Sequence, residues 1–239
     1  MLSVYIAGLK KGCGKTLIAS GFAGTMQSLS YAVSYYKPVQ TGAYIENNEP
    51  APNDVYTISR IDHNIKGLTT YSFQNPTTPL IGAYNSGIKK IDLNKIYNDY
   101  KINTQMTECH IIEGCNSIST PVDEKITEAD IAKIIGVPVV LVVNPKQNNI
   151  DDVISGINYI HTKKLQFMGV IVNEYDDLSA NIEDKYFPQL IKEYTGAKVL
   201  GCFPHFNDFA NIGADTVIAE TLNRLDLEEI FGIKIAKLG

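Results

Sequence analysis

The feature that most constrains this chain is a glycine-rich stretch near its N-terminus, Gly8–Thr16, with the sequence GLKKGCGKT. It follows an apolar run, Ser3–Ala7, and leads directly into an apolar helical pattern. A strand, a glycine-rich loop and a helix in this order are typical of a phosphate-binding loop. Glycines let backbone N–H groups turn toward phosphate oxygens, and the helix N-terminus adds partial positive charge. We expect Gly12, Cys13 and Gly14 to form part of this cradle.

Two side chains at the end of the loop are expected to carry its chemistry. The Lys15 ammonium can bridge the β- and γ-phosphates of a nucleoside triphosphate, and the Thr16 hydroxyl can bind Mg²⁺. Five residues separate Gly8 from Gly14, so the spacing is one residue longer than in the usual GxxxxGK[ST] pattern. The loop predicts ATP as co-substrate and Mg²⁺ as its metal ion.

Composition argues against several other classes of protein. The 239-residue chain has a formal net charge of −5 at pH 7 and no run of more than two basic residues, so we expect no nucleic-acid partner. No apolar stretch approaches the roughly 20 residues of a membrane-spanning helix, and the apolar start is too short for a signal peptide. We therefore expect a cytoplasmic protein without a membrane partner. Four cysteines without a CxxC pair favour buried thiols over disulfides or a zinc site.

Apolar runs alternate with helical patterns along the whole chain. Residues 1–239 are therefore predicted to form a single domain, α/β in class, with a doubly wound, mostly parallel sheet and helices on both faces, as in P-loop NTPases. Ligands of such sheets bind at the carboxyl ends of the strands. The stretch Thr41–Asn53 is predicted to be one long loop. The predicted strands are Ser3–Ala7, Ala32–Tyr36, His110–Ile112, Val139–Val143, Met168–Val172 and Val199–Phe203. The predicted helices are Thr16–Ser28, Leu93–Tyr100, Glu128–Ile135, Asp151–His161, Ile182–Tyr194 and Asp215–Glu229.

Further stretches of the chain resemble a known family. They are Tyr36–Gly42 (YKPVQTG), Asn53-Asp54, Gln74–Pro79 (QNPTTP), Ile111–Gly114 (IIEG) and Val172-Asn173. Together with the long phosphate-loop spacing, they resemble dethiobiotin synthase, the ATP-dependent carboxylase that closes a cyclic urea. The resemblance runs from Met1 to about Phe206. It implies that CO₂ adds to one amine of 7,8-diaminononanoate, that ATP phosphorylates the resulting carbamate, and that the second amine displaces phosphate.

The same resemblance implies which residues bind the metal and the nucleotide. Thr16, Asp54 and Glu113 take the family's Mg²⁺-binding role, a suitable oxygen set once waters and phosphate oxygens join it. Asn173 matches the residue that reads the adenine base, with Pro204 on the base's other side. The residues alone leave alternatives open, because Asp54 could be a helix N-cap and Asn173 an ordinary strand-end residue. A carboxylate such as Glu113, directly after an apolar strand, needs a cation or hydrogen bonds.

On the substrate side, Lys37 matches the lysine that holds the carbamate and the phosphate attached to it. An ammonium suits this catalytic role, since negative charge builds on both groups during transfer. Thr41 falls near the substrate in the family, and Tyr186 matches a tyrosine that binds the substrate's tail. The family also implies a homodimer with active sites near the interface. Taken alone, Lys37 could instead be a solvated lysine at a strand end.

Some residues depart from the family pattern and open two further hypotheses. Lys10 and Lys11 replace a polar run that carries a carboxylate, and Asp152 lies in a stretch where the family binds the substrate's tail. Lys10 also precedes Lys15 by five residues, as in the deviant KGGxGK[ST] loop of dimeric partitioning and metal-insertion ATPases. In those proteins this lysine reaches the partner's nucleotide and ATP drives dimer closure. The other hypothesis, besides the synthase and the dimer-closing ATPase, is an amide ligase of the cobyrinate type.

Overall fold

The computed structural model describes residues 2–47, 49–176, 178, 181–206 and 212–235. The strands in these residues are β1 (Leu2–Gly8), β2 (Val33–Thr41), β3 (Tyr44–Glu46), β4 (Glu49–Ala51), β5 (Lys66–Phe73), β6 (Cys109–Glu113), β7 (Pro121–Asp123), β8 (Ile126–Thr127), β9 (Val139–Val143), β10 (Phe167–Tyr175) and β11 (Val199–Pro204). The helices are α1 (Lys15–Ser28), α2 (Asn53–Ser59), α3 (Pro79–Asn85), α4 (Leu93–Asn103), α5 (Glu128–Ile135), α6 (Ile150–Thr162), α7 (Ile182–Thr195), α8 (Ala214–Arg224) and α9 (Leu227–Phe231).

A seven-stranded sheet organises this part of the chain. Its strand order is β11-β10-β9-β1-β6-β2-β5, and every neighbouring pair is parallel. The pairs β3–β4 and β7–β8 are antiparallel and lie outside this sheet. Because the seven strands run in one direction, their carboxyl ends share one edge, where ligands of such folds bind.

Alternating side chains build an apolar core on each face of the sheet. In β9, Val139, Leu141 and Val143 join one core while Val140 and Val142 join the other, and all five are fully buried. Helices α1, α8 and α9 contribute to the core that contains Val140, and helices α4, α5 and α6 to the opposite core. Burial on both faces explains why these strands form continuous apolar runs in the sequence. The predicted parallel sheet with helices on both faces is confirmed.

Several elements are absent from the predicted strands and helices, and for three of them, β5, α2 and α3, length or composition shows why. Strand β5 forms an edge of the sheet, and its residues 68–72 are only partly buried, so it carries threonine and serine instead of an apolar run. Helices α2 and α3 have seven residues each, which is too short for a periodic pattern to stand out. Within the described residues, no helix has both the length and the apolar content to cross a membrane.

Three predicted elements differ clearly from the structure. The helix predicted over Asp215–Glu229 is interrupted between α8 and α9, because Leu225 pairs with Gly201 and the Asp226 N–H donates to Leu200 O at 2.7 Å. The segment predicted as one loop, Thr41–Asn53, contains the β3–β4 hairpin. Strand β2 also continues beyond its predicted end at Tyr36 to Thr41.

Candidate active site

The turn between β1 and α1 closely approaches the end of β10. Gly12 and Gly14 have φ values of +79° and +99°, in the left-handed region that favours glycine. A Cβ on Gly14 would lie 1.9 Å from Asn173 Nδ2, so this approach requires glycine. Asn173 Nδ2 also donates to Cys13 O at 3.0 Å. The loop is therefore shaped by two glycines and by one buried amide from the end of β10.

Lys15, the first residue of α1, is held against the turn that follows β6. Its side chain is buried, and Nζ donates to Asn116 O at 2.8 Å and to Lys10 O at 3.2 Å. Carbonyl oxygens satisfy the donors without neutralising the charge. These contacts hold the Lys15 ammonium beside the space that the phosphate loop encloses.

Lys37 lies inside β2 and is only 2% exposed, which excludes the solvated strand-end alternative. Its Nζ lies 2.6 Å from Glu113 Oε1 and 2.8 Å from Asp54 Oδ2, and it donates to Gly114 O at 3.0 Å. Burial disfavours the ammonium, but the carboxylates of Glu113 and Asp54 outweigh it and raise the pKa of Lys37 above its ordinary value. Lys37 is therefore charged at any physiological pH.

Glu113 ends β6 as a fully buried carboxylate with three donors. Besides Lys37, it accepts from Thr16 Oγ1 at 2.9 Å and from Tyr35 OH at 2.7 Å. The cation and hydrogen bonds that the sequence required of Glu113 are thus both present. Burial and the nearby Glu113 carboxylate raise the pKa of Tyr35, so Tyr35 remains a donor.

Asp54 lies in the first turn of α2, whose N-cap is Pro52. The alternative of an Asp54 N-cap is therefore wrong. The Asp54 side chain is 20% exposed and points to Lys37, while its backbone N–H donates to Gln40 Oε1 at 3.4 Å. This arrangement brings a second carboxylate to the carboxyl edge of the sheet.

A cavity of about 520 Å³ joins these groups. The predicted residues that line it are Gly12, Gly14, Lys15, Thr16, Lys37, Thr41, Asp54, Glu113 and Asn173. Three predicted residues are not among the described residues that line it. Cys13 is fully buried beneath the loop, Pro204 ends β11, and Tyr186 is 48% exposed on α7. Their predicted roles remain predictions.

The donor set beside the phosphate loop fits Mg²⁺. Thr16, Asp54 and Glu113 offer one hydroxyl and two carboxylates, hard oxygen donors of the kind that Mg²⁺ prefers. The Lys37 ammonium already bridges the two carboxylates, which shows that the local charge suits a cation. Within the described residues there is no group of three or more His, Cys, Asp or Glu side chains placed to hold a metal ion. A metal here would therefore also need Thr16 and phosphate oxygens.

Sequence reasoning missed three contributors to the site. Tyr35 lies inside the predicted strand Ala32–Tyr36 and was given no role in the site, although strand alternation puts it on the same face as Lys37. Asn116 acts through its backbone carbonyl, which leaves no side-chain signal. Phe206 lines the cavity two residues after Pro204, so an aromatic residue just past a strand end was the available signal.

Comparison with known proteins defines the family. A family described as "AAA domain" matches residues 3–212. The ATP-dependent dethiobiotin synthetase BioD of Caldicellulosiruptor saccharolyticus is 30% identical over 216 residues, which cover 87% of this chain and 87% of that protein. BioD of Bacillus subtilis is 24% identical over 227 residues, with coverages of 95% and 96%.

Solved structures with low identity share the fold. McdA of Cyanothece in complex with ATP matches with a TM-score of 0.62 and 16% identity, and the match covers 98% of each chain. Cobyrinic acid a,c-diamide synthase of Mycobacterium smegmatis, with a bound ATP analogue and magnesium, matches with a TM-score of 0.58 and 13% identity over 92% of each chain.

The parallel sheet and the glycine-rich loop before α1 define a nucleotide-binding protein of the P-loop class. Within that class the chain belongs to the dethiobiotin synthetase family, whose curated members are named ATP-dependent synthetases. The predicted family and the predicted enzyme class, an ATP-dependent ligase, are confirmed.

Proposed function

We propose that this protein is an ATP- and Mg²⁺-dependent ligase that carboxylates 7,8-diaminononanoate and closes a cyclic urea. The observation that carries this proposal is the Lys37 ammonium, buried between Glu113 and Asp54 in the cavity that it shares with the phosphate loop. A ligase that phosphorylates a carbamate needs a positive charge at this place, where negative charge builds on the transferred group. An ATPase that only closes a dimer does not.

The proposed reaction has three steps. One amine of the diamine adds to CO₂ and loses a proton, which gives a carbamate. A carbamate oxygen attacks the γ-phosphorus of ATP, ADP leaves, and a carbamoyl phosphate forms. The second amine attacks the carbonyl carbon, the bond from that carbon to the phosphate oxygen breaks, and the amine loses a proton. The products are the cyclic urea, ADP and phosphate.

The protein's part is to position groups and stabilise charge. Lys15 and Lys37 place two ammonium groups beside one cavity, where they stabilise the phosphoryl group in flight. Positioning of this kind can remove about 7–11 kcal/mol of barrier. Thr16, Asp54 and Glu113 are the residues proposed to hold Mg²⁺. When bound, Mg²⁺ neutralises charge on the β- and γ-phosphates.

Asn173 is proposed to read the adenine base. Its Nδ2 is engaged by Cys13 O, whereas its Oδ1 is buried and has no hydrogen-bond partner within the described residues. An unpartnered buried acceptor is costly. A base that donates an N–H to Oδ1 would remove that cost, and adenine carries such a group. Thr41 is proposed to contact the substrate from the end of β2.

The dimer-closing ATPase is less well supported, because Lys10 is engaged within its own chain. Its Nζ lies 3.2 Å from Asp152 Oδ2 and donates to Gln147 O at 2.5 Å. To reach a partner's nucleotide, Lys10 would have to break both contacts. An amide ligase of the cobyrinate type shares the phosphate half of the proposed mechanism, so the nitrogen source and product distinguish it.

We also propose a cytoplasmic homodimer in which Tyr186 reaches the partner's substrate. Tyr186 and Ile182 lie one helical turn apart on α7, and both are exposed, at 48% and 71%. Light scattering at micromolar concentration, with and without ATP, should give the mass of a dimer. A strict monomer under both conditions would contradict this part of the proposal.

The test compares two lysine variants for urea formation and ADP release with diaminononanoate and bicarbonate. Lys37→Ala should lower kcat by roughly 10²–10³, the effect of losing one charge-stabilising donor, and change ATP affinity much less. Lys10→Ala should have a modest effect limited to the nucleotide. The opposite rank order would favour the dimer-closing ATPase, and ADP release only with ammonia or glutamine would favour the amide ligase. Lys15→Ala should abolish ATP binding.

A further inference from the structure

The turn Gly114–Asn116, directly after β6, holds both lysines of the site. Gly114 O accepts from Lys37 Nζ at 3.0 Å, and Asn116 O accepts from Lys15 Nζ at 2.8 Å. The two acceptors flank a single residue, Cys115. Any change in the backbone of this turn would therefore move both ammonium groups.

Cys115 is anchored from behind by a buried acid that the proposed reaction does not use. Glu128, the first residue of α5, is 1% exposed, and its Oε1 accepts from Cys115 N–H at 3.1 Å. The same Oε1 accepts from Tyr5 OH, which comes from the middle of β1. Glu128 Oε2 is buried without a hydrogen-bond partner in the described part of the chain.

The side chains of Glu128 and Tyr5 pack directly against the Gly114–Asn116 turn. A Cβ on Gly114 would lie 2.9 Å from Glu128 Oε1 and 3.3 Å from the Tyr5 hydroxyl oxygen. Glycine is therefore the residue that lets the turn rest on the carboxyl group. A buried acid costs free energy that an apolar side chain of equal size would not, so its presence needs a reason beyond filling space.

We infer that Glu128 and Tyr5 are positioning residues, which fix the Gly114–Asn116 turn and through it orient Lys37 and Lys15. Glu128 is not among the described residues that line the cavity, and its Oε1 acts as the acceptor for Cys115 N–H and for Tyr5 OH. Burial raises the pKa of Glu128, which makes glutamine, with its neutral carbonyl oxygen, a close substitute. The turnover part of this inference rests on the proposed function, but the backbone part does not.

Three variants separate positioning from general stability. Glu128→Gln keeps the acceptor, and Glu128→Met removes it at similar size. The matched control is Asp130→Asn, in the same first helical turn, where Asp130 accepts from Thr127 N–H at 2.8 Å and pairs with Lys163 at 2.9 Å. The control weakens the start of α5 without touching the Gly114–Asn116 turn.

The readouts are thermal stability, Mg·ATP affinity, kcat, and amide hydrogen exchange of residues 114–117. Glu128→Met should exchange faster in this segment, bind Mg·ATP more weakly and lose about 10² in kcat, the cost of a misplacement of about 1 Å. Glu128→Gln should match the unaltered protein in all four. Asp130→Asn should lose stability but keep the kcat, the ATP affinity and the exchange rate of the turn.

The results for these variants either support or overturn the positioning role of Glu128 and Tyr5. Unchanged exchange and ATP affinity in Glu128→Met, or equal losses of kcat in Glu128→Met and Asp130→Asn, would overturn it. If Glu128→Met does not fold, Tyr5→Phe replaces it: faster exchange in the turn supports the inference, and unchanged exchange overturns it. If diaminononanoate is not a substrate of the unaltered protein, the proposed function fails while exchange and ATP affinity still test the positioning role.

Discussion

Replacing Lys37 with methionine should lower the free energy of unfolding by about 3–5 kcal/mol without nucleotide or Mg²⁺, because it leaves buried carboxylates without their cation. Glu113 is 1% exposed and would lose its 2.6 Å ion pair while keeping two hydroxyl donors. Asp54 is 20% exposed, so water can compensate part of its loss. Because Glu113 keeps two donors and Asp54 keeps contact with water, we expect the loss of unfolding free energy to lie near the lower end of this range, at about 3 kcal/mol.

The matched control is Lys95→Met. Lys95 pairs with Asp99 at 2.7 Å, but its side chain is 51% exposed on α4, and a surface pair of this kind contributes about 0.3–0.5 kcal/mol. Urea unfolding followed by circular dichroism measures both changes. For a chain of this size, the melting temperature should fall by about 2–4 °C for each kcal/mol of stability that is lost.

A double variant tests the physical reason. Lys37→Met combined with Glu113→Gln should be more stable than Lys37→Met alone, because the uncompensated buried charge is removed with its partner. Added Mg²⁺ should also recover part of the loss, since a cation returns to the two carboxylates. If Lys37→Met costs no more than Lys95→Met, or if the double variant is less stable than the single one, the reasoning is refuted.

Two further predictions follow from single residues. Burial lowers the pKa of His110 from 6.5 to about 4, so between these values the unfolded chain binds the proton and the folded state does not. Stability is therefore complete above about pH 6.5 and falls as the pH drops toward 4, by about 2 kcal/mol at pH 5. Urea unfolding at pH 7 and pH 5 should show this loss in the unaltered protein and in a control His63→Gln but not in His110→Asn, and equal losses in all three would contradict it. Gly14→Ala should abolish ATP binding in calorimetry, because its Cβ would lie 1.9 Å from Asn173 Nδ2, whereas Gly87→Ala, also at positive φ but in open space, should bind normally; equal effects would contradict the steric argument.

The central strands and the phosphate loop could be predicted from the sequence because their signals are local. Strand β9 is buried on both faces, so its five apolar residues identify it without knowledge of its neighbours. The loop carries its own glycines, lysine and threonine between a strand and a helix. Strand β5 lacks such a signal, because this edge strand is only partly buried over residues 68–72 and carries threonine and serine there.

The charge cluster around Lys37 could be predicted only in part, because it depends on strand order. Tyr35 pairs with Ile111 across β2 and β6, and continuing this register by two residues brings Lys37 beside Glu113 on the same face of the sheet. The alternation of side chains is readable from the sequence. That β6 lies between β1 and β2 is not, because no local pattern of residues specifies which parallel strands become neighbours.

The Tyr5–Glu128 pair shows why positioning residues escape sequence reasoning altogether. An acid in the first turn of a helix is the ordinary partner of the helix dipole, and a tyrosine in an apolar strand is ordinary core, so each residue has a sufficient local explanation. Only the fold joins them, across 123 positions of the chain, behind the turn that holds Lys15 and Lys37. Once joined, the local explanations fail, because the dipole does not require a fully buried acid and the core does not require a hydroxyl. A role in holding Cys115 N–H explains both the buried acid and the tyrosine hydroxyl. The hydrogen-exchange rate of the Cys115 amide in Glu128→Met is the measurement that tests this role.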